Sequence, residues 1–157
     1  MFLFEVTDSF QRARVGYAIV GGYALVLHGI VRATIDVDLI INLKLSDFAR
    51  AEEALLAIGL KSRLPVRAAE VYKMREEYIR NRKLIAWSFV DYSDPSKQVD
   101  IIITEDLKAV KTDTVSVGGR KIKVASLKDL LRLKKLAGRP QDLLDAKKIH
   151  EKLRGKN

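Results

Sequence analysis

Residues 35–41 constrain this chain most, because two aspartates, Asp36 and Asp38, interrupt an otherwise apolar run. Side chains two residues apart on a strand point to the same face. The pattern predicts a strand with both carboxylates on one face. The residues predicted to pack on the other face are Ile35, Val37, Leu39 and Ile41. Neighbouring carboxylates repel and are costly to bury, and their hard oxygen atoms suit Mg²⁺ or Mn²⁺. We therefore interpret the pair as metal ligands; the alternative is an exposed strand end with two solvated carboxylates.

A third carboxylate, Asp100, interrupts a second apolar strand predicted over residues 98–104. If this strand lies beside residues 35–41, Asp100 completes a three-carboxylate site with Asp36 and Asp38. Two aspartates that bridge a metal pair, with a third that also deprotonates an attacking hydroxyl, suit phosphoryl or nucleotidyl transfer. The alternative is that Asp100 only opens the strand after a turn and is exposed.

Gly21 and Gly22 lie between a predicted strand and a predicted short helix. Glycines at such a junction let a phosphate approach the backbone N–H groups at the start of the helix. Tight packing of strand against helix explains them equally well. Arg32 and Thr34 lead into the aspartate pair, and the Thr34 hydroxyl could bind a phosphate or orient Asp36. We count these four residues as candidate nucleotide ligands.

Lys134 falls in the middle of the apolar face of a predicted C-terminal helix. The other residues assigned to that face are Leu127, Leu130, Leu131 and Ala137. An inward lysine needs an anionic partner, which would be a triphosphate or Asp142 of the next helix. The alternative is a lysine that extends along the helix to reach water.

The order of elements predicts a single α/β domain over residues 1–157, with a core over about 17–125 and two helices over about 126–154. Two hairpins are expected, one over 84–104 and one around Gly118-Gly119. The predicted strands are 17–20, 35–41, 84–90, 98–104, 114–117 and 121–124. The predicted helices are 7–15, 23–28, 46–58 capped by Ser46, 65–80, 126–137 and a last one from Pro140 to about 154.

Composition limits the classes of protein to consider. The chain has 48% hydrophobic residues and no cysteine, which excludes disulfides and thiolate zinc sites. No signal peptide or membrane span is recognisable, and we expect a cytoplasmic protein. The net charge of +9 arises in residues 120–157, which hold 13 basic and 4 acidic residues. Such a basic end is typical of proteins that handle phosphates or RNA, although solvated lysine-rich helix faces would look the same.

Three segments together resemble the polymerase-β-like nucleotidyltransferase superfamily: Gly-Gly-Tyr-Ala-Leu (21–25), Arg-Ala-Thr-Ile-Asp-Val-Asp-Leu-Ile-Ile (32–41) and Val-Asp-Ile-Ile (99–102). Residues 133–145 are similar to the Lys…Arg-x-x-Asp-x-x-Asp segment of small toxin-type nucleotidyltransferases from abortive-infection systems. Many superfamily members have Gly-Ser where this chain has Gly21-Gly22.

The resemblance implies a mixed sheet flanked by helices and Mg²⁺-dependent transfer of a nucleoside monophosphate from an NTP. It implies that Asp36, Asp38 and Asp100 are metal ligands and that Lys134 and Asp142 hold the nucleotide. The expected acceptor is RNA, with tRNA as one candidate, or a protein side chain, and an antitoxin protein is a candidate partner. Two alternatives stay open: a nucleotide- or RNA-binding module without activity, and transfer to a small hydroxylated molecule such as an aminoglycoside.

Overall fold

The structure, a computed structural model, describes residues 1–155. Seven strands form one mixed sheet in the order β3-β4-β5-β2-β1-β7-β6. The strands are β1 (Tyr17–Val20), β2 (Val37–Ile41), β3 (Lys61–Ser62), β4 (Ala86–Asp91), β5 (Asp94–Ile102), β6 (Thr112–Val117) and β7 (Arg120–Ala125). This confirms the predicted mixed sheet and both predicted hairpins.

Seven α-helices in the described part of the chain flank the sheet. They are α1 (Phe2–Arg12), α2 (Gly21–Leu27), α3 (Leu45–Ala57), α4 (Ala68–Lys73), α5 (Arg75–Arg82), α6 (Leu127–Ala137) and α7 (Pro140–Gly155). A short 3-10 helix spans Leu107–Ala109. Within residues 1–155, none of the helices has both the length and the apolar character to cross a membrane.

The central strands β2 and β5 are parallel neighbours, and their pairing positions the site. Val37 pairs with Val99, Asp38 with Asp100, and Leu39 with Ile101. On its other side β2 pairs antiparallel with β1, where Val20 is opposite Asp38. The carboxylates of Asp38 and Asp100 therefore lie side by side, next to the junction between β1 and α2.

The core is continuous from the N-terminal helix to the C-terminal pair. Leu3, Val6 and Phe10 of α1 belong to the same buried cluster as Leu130 of α6 and Ile149 of α7. The hydrophobic core thus includes residues of α1 and of both C-terminal helices. Burial of this apolar surface supplies the main stabilising free energy of the fold.

The strand predicted from residue 35 begins at Val37, so the prediction was wrong for its first two residues. Val37, Leu39 and Ile41 are fully buried as expected, but Ile35 is 64% exposed. The physical reason is the end of β1: after Val20 the chain turns into α2, so residues before Val37 have no strand to pair with on that side.

Other boundaries also differ from the sequence prediction. The helix predicted over 65–80 is two short helices separated at Met74. Lys44, and not Ser46, is the N-cap of α3, and the two-residue strand β3 was not predicted. Ala137, assigned to the apolar face of α6, is exposed because it lies at the tip of the α6–α7 hairpin.

Candidate active site

Asp38 and Asp100 form the centre of the site. Both project from directly paired positions of β2 and β5. Burial, the charge of Asp100 and a hydrogen bond to Asp100 raise the pKa of Asp38 from 3.8 to about 7, against the opposing charge of Lys134. A raised carboxylate pKa is the usual result of burying such a group beside another carboxylate without a cation.

Asp36 lies one residue before β2 and is partly buried. Burial and the charge of Asp100 raise the pKa of Asp36, while the positive charge of Arg63 opposes that rise. Asp36 is therefore within electrostatic reach of the pair. Among residues 1–155, however, no three carboxylate or imidazole side chains are gathered tightly enough to form a ready-made metal cage.

Asp100 is held by two neighbouring side chains. The Ser88 hydroxyl donates to Oδ1 of Asp100 at 2.6 Å, and Nε2 of Gln98 donates to the same oxygen at 3.1 Å. Ser88 pairs with Asp100 across β4 and β5. Both bonds fix the carboxylate through one of its oxygens.

The two glycines at the start of α2 lie against side chains of the site. A Cβ at Gly21, whose φ is +69°, would overlap Oδ2 of Asp38. A Cβ at Gly22 would be 2.5 Å from Oγ1 of Thr34. Thr34 thus occupies the space that a side chain at residue 22 would need, which explains why glycine is required there.

Lys134 points inward, as its position on α6 predicted. Its side chain is 12% exposed, and Nζ lies 3.3 Å from Asp142 and 2.9 Å from Asp145, both on α7. Asp142 also accepts a 2.6 Å hydrogen bond from Nε of Arg139. Burial raises the pKa of Asp142, but the bonds from Arg139 and Lys134 outweigh it and hold that pKa below 3.8.

Arg32 joins this charged network from the loop before β2. Its Nε lies 3.1 Å from Asp145, a carboxylate that is fully buried. Gln141 also donates to Asp145, at 2.9 Å. Burial raises the pKa of Asp145, but bonds from Lys134 and Gln141 and the charge of Arg32 hold it below 3.8. The buried carboxylates of Asp142 and Asp145 therefore stay ionised and paired with cations.

A cleft of about 620 Å³ connects the carboxylates to this network. Its lining includes Gly22, Arg32, Thr34, Asp36, Asp38, Lys134 and Asp142, together with Ala33, Ile35, Arg139, Pro140 and Gln141. Seven of the nine residues predicted for the site therefore line one cleft. Gly21 and Asp100 do not line it, but both contact or adjoin Asp38.

No protein-family model matches this sequence, and no curated protein matches it. Solved structures do. The antibiotic-resistance factor ANT(2'')-Ia aligns over 98% of this chain and 85% of its own, with a TM-score of 0.65 and 11% identity. The lincosamide antibiotic adenylyltransferase LnuA, bound to lincomycin, aligns over 95% and 94%, with a TM-score of 0.62 and 16% identity. An antigenic nucleotidyltransferase-like protein from Paracoccidioides brasiliensis aligns over 98% and 75%, with a TM-score of 0.58 and 18% identity.

The chain has the nucleotidyltransferase fold. Identities of 11–18% establish the fold alone. Within this fold, the pairing of β2 with β5 and the start of α2 bring the glycines and Asp38 together.

Sequence reasoning missed four residues of this nucleotidyltransferase-fold site. Asp145 and Arg139 belong to the charged network; both are part of the Lys…Arg-x-x-Asp-x-x-Asp segment within residues 133–145, but only Lys134 and Asp142 of that segment were assigned a role. Ser88 and Gln98 hold Asp100. Gln98 could have been found because it lies two residues before Asp100 on a strand and shares its face, whereas Ser88 depends on the strand register.

Proposed function

We propose that this protein is a divalent-metal-dependent nucleotidyltransferase that moves a nucleoside monophosphate from an NTP to an acceptor hydroxyl. One observation carries the proposal. Asp38 and Asp100 are paired in register beside a cleft that also holds the cationic side chains of Arg32, Lys134 and Arg139. A site with carboxylates on one side and cations on the other suits a metal–triphosphate substrate.

The donor set fits Mg²⁺ or Mn²⁺. The candidate ligands Asp36, Asp38 and Asp100 offer oxygen atoms only. Burial, and after it the negative charges of Asp100 and Asp36, raise the pKa of Asp38, and a bound cation would offset this cost of ionisation. When bound, the metal ion supplies Lewis-acid activation and charge neutralisation at the transferred phosphate.

Each candidate residue would have a separate role in the reaction. The backbone of Gly21 and Gly22 lets the phosphates approach α2. The Thr34 hydroxyl makes a long, 3.4 Å bond to the Asp36 carbonyl and can donate to the phosphates instead. Lys134, held by Asp142, faces the cleft with its charge. Asp100 accepts the proton of the acceptor hydroxyl. The acceptor oxygen then bonds to the α-phosphorus, the bond from that phosphorus to the bridging oxygen breaks, and pyrophosphate leaves.

For the acceptor we favour RNA, with tRNA as a candidate, or a protein side chain. The basic residues 120–157 carry the excess charge that a phosphodiester backbone would match. This reading agrees with the resemblance to toxin-type nucleotidyltransferases, for which an antitoxin would be a further partner. A cytoplasmic location would give access to NTPs and RNA.

A second candidate is transfer to a small hydroxylated antibiotic. It is favoured by the likeness to ANT(2'')-Ia, described as an antibiotic-resistance factor, and to LnuA, described as a lincosamide adenylyltransferase. A nucleotide-binding module without transfer activity is the remaining alternative. It is disfavoured because Asp36, Asp38 and Asp100 are all present.

The test is incubation with each α-labelled NTP and Mg²⁺, separately with total RNA, with a protein extract, and with an aminoglycoside or lincomycin. Label on one acceptor and release of unlabelled pyrophosphate identify the reaction and its acceptor class. Asp38→Asn is the inactive control, and Asp113→Asn on the exposed edge strand β6 is the matched control. Nucleotide binding without transfer to any acceptor would favour the binding module.

A further inference from the structure

A row of polar residues crosses three neighbouring strands at the level of the carboxylate pair and continues to the residue that follows β3. Asp38 of β2 is opposite Asp100 of β5, and Asp100 is opposite Ser88 of β4. The backbone N–H of Arg63, one residue after β3, donates to the carbonyl of Ser88 at 2.9 Å. The row leads away from the cleft toward the β3 edge of the sheet.

The hydrogen bonds in this row converge on one atom. Ser88 and Gln98 both donate to Oδ1 of Asp100, at 2.6 and 3.1 Å, and neither donates to Oδ2. Two donors on one oxygen restrict the rotation of the carboxylate, whereas a carboxylate without such donors rotates more freely. Such restriction matters most for a group that must present an oxygen atom in a defined direction.

A second layer fixes Gln98. The Nη2 of Arg63 donates to Oε1 of Gln98 at 2.9 Å. This bond settles the orientation of the amide, because the carbonyl oxygen faces the guanidinium and the NH₂ group must then face Asp100. Arg63 is exposed and its charge also acts on Asp36.

We propose that Ser88 and Gln98, with Arg63 behind Gln98, are positioning residues that orient Asp100 so that its second oxygen serves the metal ion and the acceptor. The inference rests on the proposed function. It assigns a role to three residues that lie outside the cleft. Outer residues of this kind commonly change metal affinity or activity by about 10–100-fold when they are replaced.

The experiment measures binding of Mn²⁺ alone, from the loss of the free-ion electron paramagnetic resonance signal, together with urea unfolding in EDTA. Ser88→Ala is expected to weaken Mn²⁺ binding by about tenfold or more, and Ser88→Thr, which keeps the hydroxyl, to restore it. Gln98→Leu is expected to weaken binding similarly and serves if Ser88→Ala does not fold. The matched control is Ser93→Ala, because Ser93 makes an equal 2.6 Å bond to Asp91 in an exposed turn.

The outcomes separate the two proposals. If the wild-type protein binds Mn²⁺ no better than Asp38→Asn does, the proposed metal-dependent function fails and the inference falls with it. If the wild-type protein binds Mn²⁺ and folded Ser88→Ala binds it equally well, the positioning role alone is overturned. Failure of folded Ser88→Thr to bind better than Ser88→Ala would also overturn it.

Discussion

Replacing Asp38 by asparagine should abolish transfer and stabilise the metal-free protein at alkaline pH. Folding raises the pKa of Asp38 from 3.8 to about 7, so the folded state binds a proton that the unfolded state releases over this range. Stability from this group is therefore greatest below pH 4 and is lost as the pH rises to about 7. Asparagine resembles the protonated acid but has no proton to lose, so it stays neutral as the pH rises.

The magnitude follows from the shift. About three pK units correspond to about 4 kcal/mol at pH 8, which is the ceiling, and to about 1 kcal/mol at pH 4.5. Relaxation around the charged pair reduces both values, so we expect Asp38→Asn to be more stable than the wild type by about 2–4 kcal/mol at pH 8.

Urea unfolding followed by circular dichroism in EDTA measures this difference at pH 4.5 and pH 8. Exposed Asp113→Asn is the control and should leave the free energy of unfolding nearly unchanged at both values. Added Mg²⁺ should stabilise the wild type more than Asp38→Asn. The reasoning is refuted if Asp38→Asn is less stable than the wild type at pH 8, or if the gap between them does not widen from pH 4.5 to pH 8.

Three further predictions concern the rest of the site. Asp36→Asn should abolish labelled transfer from an NTP with little change in the unfolding midpoint; retained transfer would remove Asp36 from the catalytic set. Lys134→Ala should weaken NTP binding by about 1–3 kcal/mol by calorimetry, whereas exposed Lys135→Ala should not, and equal effects would contradict a phosphate contact. Gly22→Ala should lower the unfolding midpoint because its Cβ meets both Oγ1 and Cβ of Thr34; in a double-mutant cycle Thr34→Gly, which removes both atoms, should relieve that loss, and strict additivity would argue against the clash.

The central strands could be predicted because their residues obey a simple local rule. Val37, Leu39 and Ile41 alternate with Asp38 and are buried, as period-two patterning requires. The same rule failed at Ile35 because it has no information on where a neighbouring strand ends. Residues 32–34 serve the site from a loop: Arg32 reaches Asp145, and Thr34 covers Gly22.

The partners of the charged side chains could not be predicted, because they depend on how α7 docks. Helical periodicity correctly predicted that Lys134 points inward, but it could not decide between a triphosphate and Asp142 as the partner of its ammonium group. The structure adds Asp145 as a second partner of Lys134, and Arg32 as a further cation paired with Asp145. Sequence spacing indicates which face of a helix is buried, whereas the identity of the opposing group requires the tertiary fold.

The ion pairs of Lys134 are compatible with the nucleotide-binding role that we propose for it. Two buried carboxylates, Asp142 and Asp145, hold its ammonium group at 3.3 and 2.9 Å, and Arg32 and Arg139 supply these carboxylates with further positive charge. The ammonium group is thereby fixed at the cleft wall in the absence of ligand, where its charge already acts on Asp38. A cation held in place before binding loses less side-chain entropy when a phosphate arrives. The network on α6 and α7 thus orders the cationic wall of the cleft, while the pairing of β2 with β5 orders its acidic wall.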